Sequence, residues 1–115
     1  MEGISFTKLM ILDKLKIDDE PLDLILSEIR VIDEIRDRLR KPFRSIDISD
    51  EEIKASLKGL LKDGFVLVLD EAGREIKHYN IDQLLNSEEP RSIWFRLTPL
   101  GEEAFDKNFS KFWED

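Results

Sequence analysis

The 115-residue sequence has no cysteine and a single histidine, His78. Together these exclude a disulfide framework, a thiolate zinc centre, a thiol nucleophile and a histidine-rich metal site. Glycine and proline are scarce, at five and four residues, and the glycines form no phosphate-cradling loop. Long hydrophobic runs are missing too. Phe65-Val66-Leu67-Val68-Leu69 is strand-length, far from the ~20 apolar residues of a membrane helix. Met1-Glu2-Gly3-Ile4-Ser5-Phe6 lacks a basic stretch followed by an apolar one. The expectation is a soluble, cytoplasmic chain with no membrane partner. No repeat or low-complexity segment interrupts it, so residues 1–115 read as a single domain.

What is present is charge. Charged residues make up 38% of the chain and apolar residues 41%, against about 25% charged in an ordinary globular domain. The formal net charge is −8, so the field of the whole molecule opposes a polyanion. The charge is uneven. Only residues 30–62 carry a basic excess, nine basic against seven acidic side chains. Its densest part is Arg36, Arg38, Arg40, Lys41 and Arg44.

Periodicity divides the chain into helices first and strands afterwards. Leu9, Met10, Leu12 and Leu15 predict a helix over about 7–15. Asp18-Asp19-Glu20 then precedes Pro21, a residue tolerated in a first helical turn. From there Leu22, Ile25, Leu26, Ile29, Ile32, Ile35 and Leu39 recur at spacings of three and four. They predict a second helix to about Leu39 or Arg40, stopped by Pro42. Ser49-Asp50-Glu51-Glu52 is a capping box. It opens a third helix over 50–62, with stripe residues Ile53, Leu57, Leu60 and Leu61 and Gly64 as a left-handed C-cap. Phe65–Leu69 then reads as a strand, Glu71-Ala72-Gly73-Arg74 as a turn, and 75–81 as a returning strand. A polar stretch over 82–90 carries Leu84 and Leu85 as a small apolar insert. Ser92–Leu97 is a further strand. Thr98-Pro99 caps a final helix lined by Leu100, Ala104, Phe105, Phe109, Phe112 and Trp113. One core is expected from Ile53, Leu57, Leu60, Leu61, Phe65, Val66, Leu67, Phe95, Leu97 and Leu100.

Two stretches carry a resemblance. Ile53-Lys54-Ala55-Ser56-Leu57-Lys58-Gly59-Leu60-Leu61-Lys62-Asp63-Gly64-Phe65-Val66 is similar to the third helix and first wing strand of winged helix-turn-helix proteins. Trp94-Phe95-Arg96-Leu97-Thr98-Pro99-Leu100-Gly101-Glu102-Glu103-Ala104-Phe105 resembles the wing return and following helix of the PadR- and MarR-like members. The likeness covers roughly residues 50–105. It implies an α+β winged helix: a three-helix core, a small antiparallel wing sheet and a C-terminal helix. The excursion from Asp70 to Ser92 is longer than a simple wing.

The resemblance implies a DNA-binding transcriptional regulator, with the helix over 50–62 in a major groove. The alternative is a winged-helix module that binds protein and leaves its DNA face unused. Lys54, Lys58 and Lys62 form a row at four-residue spacing that suits phosphate, and with the Arg36–Arg44 cluster they are the candidate nucleic-acid contacts. The same row also describes an ordinary solvated helix face. Base edges are usually read by Arg, Asn or Gln, and this helix has none. Glu51 and Glu52 repel phosphate. The wing-tip residues Asp70, Glu71, Arg74, Glu75 and Lys77 are not the basic set that a minor groove attracts. Glu34 lies four residues before Arg38, so charge pairing along a helix accounts for part of the arginine cluster.

Neither enzyme chemistry nor a cofactor or metal is expected. Asp18-Asp19, Glu51-Glu52 and Glu88-Glu89 fall at caps and turns, where carboxylates serve the helix dipole. Trp94, Phe95, Phe105, Phe109, Phe112 and Trp113 admit two readings, a base-stacking platform or core and interface. Phe105, Phe109, Phe112 and Trp113 are the candidate contacts of a homodimer, since an apolar patch the core does not cover marks a protein contact.

Overall fold

The computed structural model describes residues 5–28 and 49–113, with side chains described for 5, 7–27 and 49–108. The expected second-helix segment 29–40, its stop at Pro42 and the Arg36–Arg44 cluster lie outside the described residues.

Helix α1 (Phe6–Ile17) begins at Ser5, whose side chain accepts from the Lys8 amide at 3.2 Å. Leu9, Met10, Ile11, Leu12 and Leu15 are all buried, so α1 is apolar around most of its circumference. A helix of that kind is a central element, and α1 packs on the last helix, on the capped third helix and on the sheet. The sequence then departs from expectation. Glu20–Pro21 is not helical but a two-residue strand, β1, and helix α2 (Leu22–Glu28) starts after it. An edge strand accepts proline because the missing N–H need face no neighbour.

Helix α3 spans Asp50–Lys62, as the capping box predicts. Ser49 accepts from the Glu52 amide at 3.2 Å. Ile53, Leu57 and Leu60 are fully buried, with Leu61 beside them. Gly64 ends the helix with φ +77°, a conformation that costs glycine nothing and other residues about 1 kcal/mol or more.

Strand β2 (Val66–Leu69) pairs antiparallel with β3 (Trp94–Leu97), and β3 pairs on its other side with β1, giving the order β1-β3-β2. Val66 and Val68 face inward opposite Leu97 and Phe95. Leu67, expected in the core, is only half-buried. The pleat sends alternate side chains to opposite faces and sets Leu67 against the exposed Arg96.

The returning strand expected over 75–81 is absent from the sheet. Glu75 makes one isolated bridge to Leu69, and the Ile76 amide donates to the Val68 carbonyl at 2.8 Å. The chain then leaves the sheet. Asn80 caps a five-residue helix, α4 (Ile81–Leu85), by accepting from the Gln83 amide. Leu85, read from the sequence as part of a polar excursion, is buried in the core at 3% exposure. A 3₁₀ turn over Pro90–Ser92 leads into β3.

The last helix, α5 (Pro99–Trp113), is clasped to the α3–β2 turn. The Thr98 hydroxyl donates to the Gly64 carbonyl at 2.6 Å and accepts from the Gly101 amide at 3.0 Å, while the Thr98 amide donates to the Phe65 carbonyl. Gly101, Ala104 and Phe105 turn inward. Leu100, assigned to the core from the sequence, is instead 51% exposed. The described residues thus form a mixed α+β fold with a small three-stranded antiparallel sheet. Among the described residues no helix is long and apolar enough to cross a membrane.

Candidate interaction face on helix α3

The face of α3 that points away from the core carries Lys54, Lys58 and Lys62, repeating every four residues along one side. Lys62 is exposed near the helix end. The other two meet α4. Lys58 Nζ donates to Asp82 Oδ1 at 3.0 Å, and Lys54 Nζ donates to Asn86 Oδ1 at 3.1 Å. Lysines four apart on α3 therefore meet acceptors four apart on α4 and its C-cap, in opposite chain order.

That match depends on both short-range and core structure. Five residues are too few for a helix that stands alone. Asn80 caps one end, and Asn86 Nδ2 donates back to the Asp82 carbonyl at 2.8 Å at the other. Leu85 fixes the helix to the core, with Ile81 and Leu84 packed beside it. Asp82 and Asn86 were not singled out in the sequence. The available signal was Asn80 as a cap ahead of Ile81, Leu84 and Leu85, which turns the supposed polar excursion into an anchored helix.

The turn expected to form a wing tip is held by its own charges. Asp70 accepts from the amides of Ala72 and Arg74, each at 2.9 Å, and from Arg74 Nε at 3.2 Å. Gly73 supplies the left-handed residue, φ +81°. Glu71 accepts from the Ser92 hydroxyl at 2.5 Å and ties the turn to the 3₁₀ segment that precedes β3. Arg74 is thus engaged within the turn.

The Arg74 amide, chiefly, holds the Asp70 carboxyl below its ordinary 3.8, helped by the Ala72 amide and the Arg74 charge and opposed by desolvation. A depressed folded-state pKa stabilises above the unfolded-state value, and the effect is lost as pH falls through the lower folded value. The turn should therefore keep its Asp70 hydrogen bonds at neutral pH and lose them only below about 3.8. Carbon-detected NMR titration of the Asp70 carboxyl checks this; a midpoint at or above the ordinary aspartate value would contradict it.

Other basic side chains are similarly occupied. Arg96 on β3 grips Asp19 through Nε and Nη2, at 3.2 and 2.8 Å. Lys16 at the end of α1 lies 2.6 Å from Asp106 and 4.9 Å above the Phe105 ring. Lys107 pairs with Glu103 one turn earlier.

The aromatic residues divide by burial. Phe95 is fully buried and offers no face for stacking a base, and Trp94 is half-buried. Phe105, expected at a homodimer contact, is 4% exposed in the core of its own chain. The side chains of Phe109, Phe112 and Trp113 fall outside those described. His78 is exposed.

No family model matches the chain, and no curated protein is significantly similar to it.

Proposed function

We propose that the chain is a winged-helix domain that works by binding protein, with the α3 face closed to DNA. The winged-helix part of this reading is supported by the layout. Among the described residues, helices α1, α2 and α3 precede the antiparallel pair β2 and β3, and α5 follows it. The functional part is carried by one observation: Lys54 and Lys58, the phosphate-facing candidates, are paired with Asn86 and Asp82 of the same chain. The net charge of −8 points the same way, because it repels nucleic acid and steers a partner with a basic surface.

The test is fluorescence anisotropy with a labelled random duplex and with cognate genomic fragments at low salt, where counterion release favours phosphate contacts most. No binding is expected. Binding that weakens steeply with salt would defeat the proposal. It would favour the second reading, a DNA-binding regulator that uses the basic excess of residues 30–62. In that case replacing Arg36, Arg38, Arg40, Lys41 and Arg44 by alanine should abolish the shift.

Self-association is part of the same proposal. With Phe105 committed to the core, Phe109, Phe112 and Trp113 are the residues left for a two-fold contact at the end of α5. Burying such a side chain contributes on the order of 1.5–3 kcal/mol, and a two-fold axis presents the same patch twice. Sedimentation of the intact chain should show a dimer, and a Phe109→Ser/Trp113→Ser variant should be monomeric. A monomeric intact chain, or a variant that still dimerises, would refute the contact.

A further inference from the structure

Helix α4 and its C-cap meet Lys54 and Lys58 of α3 with oxygen acceptors at matching spacing, and we infer that they are a built-in occupant of these two lysines that masks them from phosphate. The inference rests on reading α3 as the helix a winged-helix domain would turn toward nucleic acid. Asp82 Oδ1 and Asn86 Oδ1 lie 3.0 and 3.1 Å from the two lysine ammonium groups, the distance at which a phosphate oxygen would accept. The Asp82 carboxylate is an anion in the position of an anion. A polyanion approaching α3 must displace it or bear its repulsion.

Masking does not require a strong pair. The Asp82 side chain is 71% exposed and that of Lys58 37%, so solvent screens their attraction. The effect comes from occupancy and from holding a negative charge in place. The hold is provided by Leu85, which is buried in the core, and by Asn80 and Asn86, which cap a helix otherwise too short to persist. The helix that carries the masking group is therefore anchored to the folded core and is present whenever the domain is folded.

The experiment measures binding of a labelled duplex, and separately of heparin, to four full-length forms at low salt. These are the intact chain, Asp82→Asn, Asp82→Asn/Asn86→Ala, and the double variant with Lys54→Ala/Lys58→Ala added. Thermal melts check that each is folded. Asp82→Asn retains the Asn86 cap, so it reports even if the double variant loses α4. Unmasking two lysines should raise affinity about tenfold and steepen the salt dependence of log K by about two. The gain should vanish when Lys54 and Lys58 are removed. No gain in either unmasked form, or a gain that survives loss of the lysines, would overturn the inference. Binding by the intact chain is a separate outcome that tells against the protein-binding reading, because the masking result is the difference between forms.

Discussion

Replacing Gly101 by alanine is expected to destabilise the fold more than the same change at any other described glycine. A Cβ at this position would lie 2.0 Å from the Phe65 carbonyl oxygen and 2.8 Å from Leu97 Cδ1. The first contact is with backbone, which cannot rotate away. The carbonyl is also committed, because it accepts from the Thr98 amide at 3.1 Å. Moving α5 outward to admit the methyl group would stretch that bond and the Thr98 hydroxyl bridge between Gly64 and Gly101. Alanine's better helix propensity returns about 1 kcal/mol, while overpacking costs typically 1–3 kcal/mol and occasionally more. A backbone clash this close belongs at the upper end, so a net loss of about 2 kcal/mol or more is expected from denaturant unfolding. A Gly101→Ala variant as stable as the parent would mean that α5 does not sit against the α3–β2 turn as described. Gly59→Ala is the useful contrast. The nearest atoms there are Nζ and Cε of Lys8, the far end of a flexible chain that can swing aside.

These two glycines show what the sequence conveyed about the fold. Start and stop signals with a local mechanism were legible: Ser49 ahead of α3, Gly64 after it, and Thr98-Pro99 ahead of α5. Each acts within a few residues, so reading the neighbours is enough. Features set by tertiary contact were not. Apolar weighting placed Leu100 in the core because it lies four residues before Ala104. The inward face in fact runs through Gly101, Ala104, Phe105 and Asn108; it keeps Ala104 and Phe105 but has Gly101 where Leu100 was expected, and its closest approach is made by a residue with no side chain to weigh. Pro21 read as a helix start because proline suits that position. Its pairing with Trp94 depends on a strand more than seventy residues later.

The 75–81 segment misled for a related reason. Glu75, Ile76, Lys77, His78 and Tyr79 alternate enough to resemble a strand, yet the pairing with the open edge of β2 stops after the Glu75–Leu69 bridge and the Ile76–Val68 hydrogen bond. What the chain does instead decides the candidate site. By leaving the sheet, it brings Asp82 and Asn86 onto α3. The lysine row was visible in the sequence at its four-residue spacing. Its partners were not, since their place depends on Leu85 reaching the core.

Phe95→Ala is expected to cost about 3–5 kcal/mol, the range for removing a fully buried aromatic side chain, a large share of the ~5–15 kcal/mol that holds a domain folded. Phe95 is 0% exposed on the central strand of the sheet, opposite Val68 on one side and Glu20 on the other. Its ring lies in the same cluster as α1, α3 and α5 residues, among them Leu12, Leu57 and Phe105. A void left there borders several elements, each already packed against its neighbours. The site is therefore poorly placed to collapse, and residual cavity volume sets the cost of such substitutions. Leu100→Ala is the paired measurement. The sequence pattern ranked Leu100 with Phe95 as core, but at 51% exposure it gives up little burial, and a change within about 1 kcal/mol is expected. Urea unfolding of both variants separates the two descriptions of α5. Comparable losses at the two positions would restore Leu100 to the core and rotate the helix, whereas a loss confined to Phe95 places Gly101 on the inward face.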